Sequence, residues 1–282
     1  DGLALGKGVL ICQDKAEALT AVEEMMVGGK FGASGNTVVI EEFLIGPEVS
    51  VLAFTDGETV VPMVSSMDHK RALDGDRGLN TGGMGTVAPN PYYTPEIAQI
   101  CMKTIFEPTV AAMKAEGRPF KGCLYFGLML APDGPTVIEY NCRFGDPETQ
   151  VVLPLLESDL FTVMEAVTQG RLSEVEASFS DRNAACVVLA SGGYPEHYEK
   201  GKAITGLANG QLSGGEATVY HAGTSLKEGT LVTSGGRVLG VTAMGTDLKE
   251  ALDKAYTAAE KIAFEGLHKR SDIGARALAA KP

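Results

Sequence analysis

The run Val137-Ile138-Glu139-Tyr140-Asn141-Cys142-Arg143-Phe144-Gly145-Asp146-Pro147-Glu148 concentrates chemically capable side chains after an apolar start. That start predicts a strand. Side chains alternate along a strand, so Glu139 and Asn141 fall on one face. A carboxylate beside an amide oxygen suits Mg²⁺, a hard ion that takes few protein ligands and completes its shell with phosphate and water. Arg143 has the same parity and can reach a phosphoryl group in transfer. Asp146 and Glu148 follow after a Gly turn. Cys142 is a soft ligand among hard ones, so it is expected to pack rather than to bind metal.

A second run, from Asp68 to Pro91, reads as a long polar loop without periodicity. Loops of that length inside a compact domain are usually functional or disordered. It offers Asp68, Lys70 and Arg71, then Asn80-Thr81-Gly82-Gly83-Met84-Gly85. Cations plus a glycine-rich backbone are what a small phosphate or carboxylate needs. His69 reads as a polar loop residue rather than a catalytic base.

Two further segments carry weaker signals. In Glu41-Glu42-Phe43-Leu44-Ile45-Gly46-Pro47-Glu48, the strand expected over Thr37–Phe43 runs into a connector. Its backbone could meet a purine edge, and Glu48 could accept ribose hydroxyls; a solvated strand end would look the same. Gly2-Leu3-Ala4-Leu5-Gly6-Lys7-Gly8 has the look of a phosphate loop. It departs from the Walker pattern, because Gly8 stands where Ser or Thr would hold Mg²⁺. A plain surface turn fits it equally well.

These residues need a scaffold, and the spacing of apolar positions supplies one. Lys15–Met26 predicts a helix, stopped by Gly28-Gly29. Val49–Phe54 and Thr59–Val64 predict strands joined at Asp56-Gly57. Cys123–Leu130 and Thr136–Tyr140 predict another strand pair across Pro132-Asp133-Gly134-Pro135. Helices are expected over Pro95–Glu116, Glu157–Gly170 and about Asp247–Phe264. Short β runs over Ala184–Ala190, Ala217–His221, Leu231–Thr233 and Arg237–Ala243 mark a change of style near residue 180. The expected fold class is α+β, with a first domain over 1–175 and a β-rich domain over 176–282.

Composition narrows the function classes. The 282 residues carry 36 acidic and 24 basic side chains, net −12. Residues 1–150 hold 20 acids and 11 bases, net −9, which leaves −3 for the remainder. Such a surface disfavours polyanions, so neither nucleic acid nor an anionic membrane is an expected partner. No apolar run approaches the roughly 18 residues of a membrane span, and no secretory leader is read at Asp1-Gly2-Leu3-Ala4. The five cysteines, at 12, 101, 123, 142 and 186, are odd in number and form no C-x-x-C pair. Reduced thiols in a cytoplasmic protein are expected.

Taken together, the motifs resemble the ATP-grasp superfamily. More narrowly, they are similar to the glycinamide ribonucleotide synthetase (phosphoribosylamine–glycine ligase) family. The likeness runs through Asp1–Gly8, Val39-Ile-Glu-Glu-Phe-Leu, Asp68-His-Lys-Arg, Asn80-Thr-Gly-Gly-Met-Gly, Glu139–Glu148, Ser191-Gly-Gly-Tyr-Pro, His221-Ala-Gly-Thr and Ser234-Gly-Gly-Arg-Val. The resemblance implies an ATP-grasp domain followed by the β-rich domain. It implies ATP and Mg²⁺ (or Mn²⁺) as cofactors, and glycine and 5-phosphoribosylamine as substrates joined through a glycyl phosphate. By position, Gly6, Lys7 and Gly8 would cover the phosphates. Glu41 with the Phe43–Leu44 backbone would meet adenine, and Glu48 the ribose. Glu139 and Asn141 would bind the metal, and Arg143 would stabilise the transferred phosphoryl group. Asp68, Lys70, Asn80, Thr81, Gly82, Gly83, Asp146 and Glu148 would line the substrate pocket, with Lys70 and Asp146 acting beside Arg143 in catalysis.

The chain departs from the family pattern in two places. Where many ATP-grasp enzymes carry a further acid, it has Gly127. The family's N-terminal Rossmann-like domain and a phosphate-contacting lysine are expected before the position of Asp1, so the chain looks like about two-thirds of a longer protein, with that portion as a separate polypeptide or segment. Other ATP-grasp carboxylate–amine ligases or carboxylases, and an inactive fragment, are the competing readings.

Overall fold

A computed structural model describes residues 8–280, and the chain divides after Ile45 into two compact units. The first contains α1 (Lys15–Met26), where the apolar spacing placed it. Asp14 caps it by accepting from the Ala16 and Glu17 N–H groups, which supplies partners that the first turn cannot find within the helix. The strand expected over Thr37–Phe43 is absent. A strand needs a neighbour for its N–H and C=O groups. Among the described residues no strand is formed over 37–45, and Val39 and Ile40 are 81% and 85% exposed.

The second unit is built on two antiparallel sheets. The first has the order β2-β1-β7-β8, from β1 (Glu48–Thr55), β2 (Val60–Pro62), β7 (Gly122–Ala131) and β8 (Gly134–Asn141). β1 is buried on both faces, and alternation explains how. Val49, Val51 and Ala53 join Leu124 and Phe126 beneath a helical layer, α2 (Pro95–Cys101), a π turn over Met102–Phe106, and α3 (Glu107–Ala115). Leu52 and Phe54 point the other way, to Val163 and Val167 of α5 (Leu160–Gln169) and to Val151 and Val152 of α4 (Thr149–Val152). Each such Val, Leu or Phe side chain contributes about 1.5–3 kcal/mol by leaving water.

The second sheet contains segments distant in sequence. Its order is β10-β13-β9-β6-β3, with β14 also on β9. The strands are β3 (Met67–Asp68), β6 (Gly85–Ala88), β9 (Asn183–Ser191), β10 (Thr218–His221), β13 (Arg237–Gly245) and β14 (Leu267–His268). The segment from Asp68 is therefore not a structureless loop. β3 and β6 enter this sheet, and β4 (Arg71–Leu73) and β5 (Arg77–Asn80) form a separate two-stranded ribbon between them. Helix α6 (Leu248–Ala259) covers the sheet with an alanine-rich face, Ala251, Ala255, Ala258 and Ala259. A hairpin of β11 (Thr224–Lys227) and β12 (Thr230–Thr233) and the short α7 (Ala275–Ala279) complete the unit. Among the described residues no helix is long and apolar enough to cross a membrane.

Candidate active site

The first sheet sorts its polar side chains by register. Residues directly opposite in an antiparallel pair point to the same face. Ser50 faces Gly127, which faces Glu139; Leu52 faces Tyr125, which faces Asn141. Ser50, Tyr125, Glu139 and Asn141 therefore share one face, joined by Glu48 at the same parity. The Asn141 side-chain amide donates to Glu139 Oε1 at 3.3 Å. Gly127 is what leaves them room, because a Cβ there would lie 3.0 Å from Glu139 Cγ. A side chain in place of Gly127 would therefore crowd Glu139.

Behind this row lies a buried carboxylate centre. Glu148, at the start of α4, is 5% exposed. Tyr125 donates its O–H to Glu148 Oε1 at 3.1 Å, so Ser50 Oγ, 2.7 Å from the same phenol oxygen, supplies its own proton to Tyr125. Burial raises the Tyr125 phenol, which keeps that donor protonated. Burial also raises the Glu148 carboxyl, against the opposing pull of its backbone N–H, Tyr125, Arg143 and Lys70. Asp68, half-buried on β3, is pushed well above the usual carboxylate range by burial and then by the charge of Glu148. Two carboxyls thus compete for ionisation in one place, an arrangement that accumulates at functional sites.

Lys70 bridges this centre to β1. Its Nζ lies 2.6 Å from Glu48 Oε2. Burial pulls its proton affinity down, but Glu48, Asp68 and Glu139 outweigh burial and hold it above the usual lysine value. Arg143 Cζ sits 5.9 Å from the centre of the Tyr125 ring, and its Nη1 donates to Phe144 O at 3.1 Å. Cys142 is exposed rather than packed, since it follows directly on the end of β8.

The Asn80–Gly85 stretch behaves differently from a free backbone cradle. Thr81 N–H donates to Lys70 O at 2.7 Å, Gly82 N–H to Tyr194 Oη at 3.0 Å, Gly83 N–H to Thr81 Oγ1 at 3.0 Å, and Met84 N–H to His69 O at 2.9 Å. Those donors hold the loop's own shape. Asn80, exposed at the end of β5, pairs with Arg71. His69 is buried at 1% exposure; its Nδ1 bonds Gly85 O at 3.1 Å and its Nε2 accepts from Gly274 N–H at 3.0 Å. Burial and the Arg270 charge hold it neutral, with a pKa of about 4.

Arg237 on β13 was not singled out by sequence reasoning, yet it joins two loops. Its Nη1 lies 2.7 Å from both Gly82 O and Asp146 O, and its Nη2 lies 3.2 Å from Asp146 Oδ2. Gln150 Nε2 donates to the other Asp146 oxygen at 2.8 Å. Tyr194 was missed as well. The available signal was their glycine-flanked settings, Gly192-Gly193-Tyr194 and Gly235-Gly236-Arg237.

Of the residues expected to meet nucleotide, Gly6 and Lys7 lie outside the described residues. In the first unit Gly8 and Leu44 are half-buried, while Glu41 and Phe43 are exposed on irregular backbone. In the second unit the structure brings together Glu48, Asp68, Lys70, Thr81, Gly82, Gly83, Glu139, Asn141, Arg143, Asp146 and Glu148. Among the described residues no group of three or more His, Cys, Asp or Glu is arranged to hold a metal ion. Glu139 with Asn141, once the amide turns its oxygen inward, offers the pair of oxygens that Mg²⁺ uses when phosphates supply the remainder.

An antiparallel sheet with a carboxylate–amide pair at its edge, and a mixed helix and sheet body, define the ATP-grasp class. Residues 1–149 match the model described as phosphoribosylglycinamide synthetase, ATP-grasp (A) domain, and residues 184–276 match the C domain of the same family. The chain belongs to the phosphoribosylglycinamide synthetase family. It is 49% identical over 275 residues to the phosphoribosylamine–glycine ligase of Caldanaerobacter subterraneus subsp. tengcongensis, covering 98% of this chain and 65% of that protein. The crystal structure of the phosphoribosylamine–glycine ligase of Thermotoga maritima superposes with a TM-score of 0.86 at 39% identity, over 97% of this chain and 67% of that one. The biotin carboxylase domain of the Hydrogenobacter thermophilus 2-oxoglutarate carboxylase, solved with MgADP and bicarbonate, shares the fold at 15% identity and a TM-score of 0.68, over 93% of this chain and 55% of that one. The chain thus spans about two-thirds of the length of its ligase relatives.

Proposed function

We propose that this chain carries the nucleotide, metal and substrate residues of an ATP-dependent ligase joining glycine to 5-phosphoribosylamine in purine biosynthesis. The observation that carries the reading is the shared sheet face of Glu48, Ser50, Tyr125, Glu139 and Asn141, set against the Asp68–Lys70 segment in a chain of this family. ATP is the cosubstrate. Glu139 and Asn141 would hold Mg²⁺ or Mn²⁺, whose charge neutralises phosphate oxygens when bound.

The reaction requires little covalent participation by the protein. A glycine carboxylate oxygen attacks the γ-phosphorus, and the bond to ADP breaks. The amine of phosphoribosylamine then attacks the acyl carbon, and phosphate leaves with the bonding pair while the amine sheds a proton. Arg143 is assigned to the transferred phosphoryl charge. Asp68, Asp146 and Glu148 are assigned to the amine groups and Lys70 to the acids around them, with Asn80, Thr81, Gly82 and Gly83 shaping the wall. Gly6, Lys7, Gly8, Glu41, Phe43, Leu44 and Glu48 are assigned to ATP. The working division places these residues in 1–175, ahead of a β-rich domain over 176–282. The longer relatives support an N-terminal portion as partner segment, and the pathway supports a cytoplasmic location. In the complete protein, Glu139→Gln is expected to abolish glycine-dependent ADP formation; full activity in that variant would overturn the metal assignment.

A further inference from the structure

The β4–β5 ribbon has no sheet to lean on. All of β5 is exposed, and a lone two-stranded ribbon is marginal in water. Its turn holds Asp76 at φ +52, a left-handed conformation that a side chain seldom adopts unaided. The ribbon nevertheless fixes the register Arg71 to Asn80, which sets Lys70 against Thr81.

Its anchor comes from residues 190 or more positions further along. Arg270 is 1% exposed. Its Nε and Nη2 reach the two oxygens of Asp272 at 2.7 and 2.9 Å, a forked pairing that fixes the guanidinium plane. Its Nη1 donates to Asp76 Oδ1 at 2.9 Å and to Arg71 O at 3.1 Å, one at the turn and one at the base of the ribbon. Asp272 Oδ2 accepts in addition from Gly75 N–H at 2.8 Å, and Ser271 N–H donates to Asp74 Oδ1 at 2.8 Å. At the ribbon's entry, Gly274 N–H is the donor to His69 Nε2. A charge this deeply buried is costly unless fully partnered, and its partners here are the ribbon and the residue that holds it.

We propose that Arg270, oriented by Asp272, is a positioning residue for the substrate wall: it clamps the β4–β5 ribbon and thereby fixes Lys70 and the Asn80–Gly83 segment. Arg270 touches no reacting atom in this reading. The inference rests on the assignment of 68–83 to the substrate pocket, and the test separates the two.

The variants are Arg270→Met, Arg270→Lys and Asp76→Asn in the complete protein. Asparagine tolerates the left-handed turn, so Asp76→Asn loosens the clamp from the ribbon side without emptying the interior. Amide hydrogen exchange and steady-state kinetics with glycine and 5-phosphoribosylamine are measured together. Expected is a loss of protection of about tenfold or more over 71–81 in Arg270→Met, with α6 unchanged. KM for the substrates rises more than kcat falls, Asp76→Asn shifts both readouts the same way, and Arg270→Lys recovers part of each. Unchanged exchange over 71–81 in a folded variant, uniform loosening of the whole second sheet, or local loosening with KM unchanged would each overturn the clamp. A parent protein inactive with both substrates would defeat the functional reading instead, and exchange alone would then decide the clamp.

Discussion

Gly83 sits where the two loops proposed as the substrate wall meet, and Gly83→Ala tests how tightly they are set. Its φ is +113, a region nearly closed to residues with a Cβ. A Cβ there would lie 2.4 Å from Pro147 Cδ and 2.6 Å from Asp68 Oδ1. Ordinary contacts between carbon atoms are about 3.5–4.0 Å, so the loops would have to part by roughly 1 Å. The backbone conformation should cost ~1–3 kcal/mol, and the forced separation another ~1–3 kcal/mol. Gly134→Ala isolates the first contribution, because Gly134 has φ +128 with nothing within 4 Å of its Cβ position. Urea unfolding should therefore place Gly83→Ala below Gly134→Ala by ~1–3 kcal/mol, the overpacking share alone. Because Asp68 and Pro147 are what must move, Gly83→Ala should also raise the substrate KM values while Gly134→Ala leaves them unchanged. Equal stability losses with equal KM values would refute the close packing of these loops.

Two further outcomes follow from buried titratable groups. His69 has a pKa of about 4 against 6.5 for the free side chain. Between those values the unfolded chain binds a proton that the folded chain refuses, so stability should fall by roughly 3 kcal/mol as pH drops from 6.5 to 4. His69→Gln should lose most of that slope in urea titrations across this range; an unchanged slope would place the acid sensitivity elsewhere. Glu148 is raised by burial, so the folded state keeps a proton that the unfolded chain releases above about pH 4.5. Native stability therefore declines as pH rises through that window. Glu148→Gln, which can still accept from Tyr125, should stabilise the protein at pH 7 by about 1.4 kcal/mol per unit of upward shift, with no gain in acid. Ligase activity should fall in the same variant. A destabilised variant at pH 7 would show that the partners of the Glu148 carboxylate outweigh its burial.

Elements with local signals were legible in the sequence. α1 begins at Lys15 because Asp14 caps it, and the β7–β8 pair turns at Pro132-Asp133, both readable within a few residues. The 68–85 region was not legible, because its strands are two to four residues long and too short to display a period. Their pairing is also remote: Gly85–Ala88 lies on Val187–Ala184, about a hundred positions away. Thr37–Phe43 erred in the opposite direction, since local β preference cannot supply a partner strand. In the site, Glu139 and Asn141 were placed on one face by alternation alone. Tyr125, Arg237 and Arg270 depend on cross-strand register and on segments far apart in the chain.

The balance of charge in the second unit ties stability to the proposed chemistry. Glu48, Asp68, Glu139, Asp146 and Glu148 gather near Lys70, Arg143 and Arg237, with the buried members held partly against ionisation. Left alone, such a cluster destabilises the fold, because each buried carboxylate loses hydration without a full complement of partners. A ligand that arrives as an ammonium group, or a divalent cation on the Glu139–Asn141 edge, supplies the missing positive charge. On the proposed function the strain among the carboxyls is therefore relieved by substrate binding itself. The same residues could be replaced by amides to give a sturdier sheet, but the amides would no longer draw an amine and a metal to neighbouring positions. On the same proposal, Tyr125 satisfies Glu148, and Ser50 in turn bonds Tyr125, so that the carboxyl is kept in place. On that proposal the loops that deliver Asp68 and Asp146 need polar fastening as well as packing, which the bonds of Arg237 to Gly82 O and Asp146 O and of Arg270 to Arg71 O and Asp76 would supply.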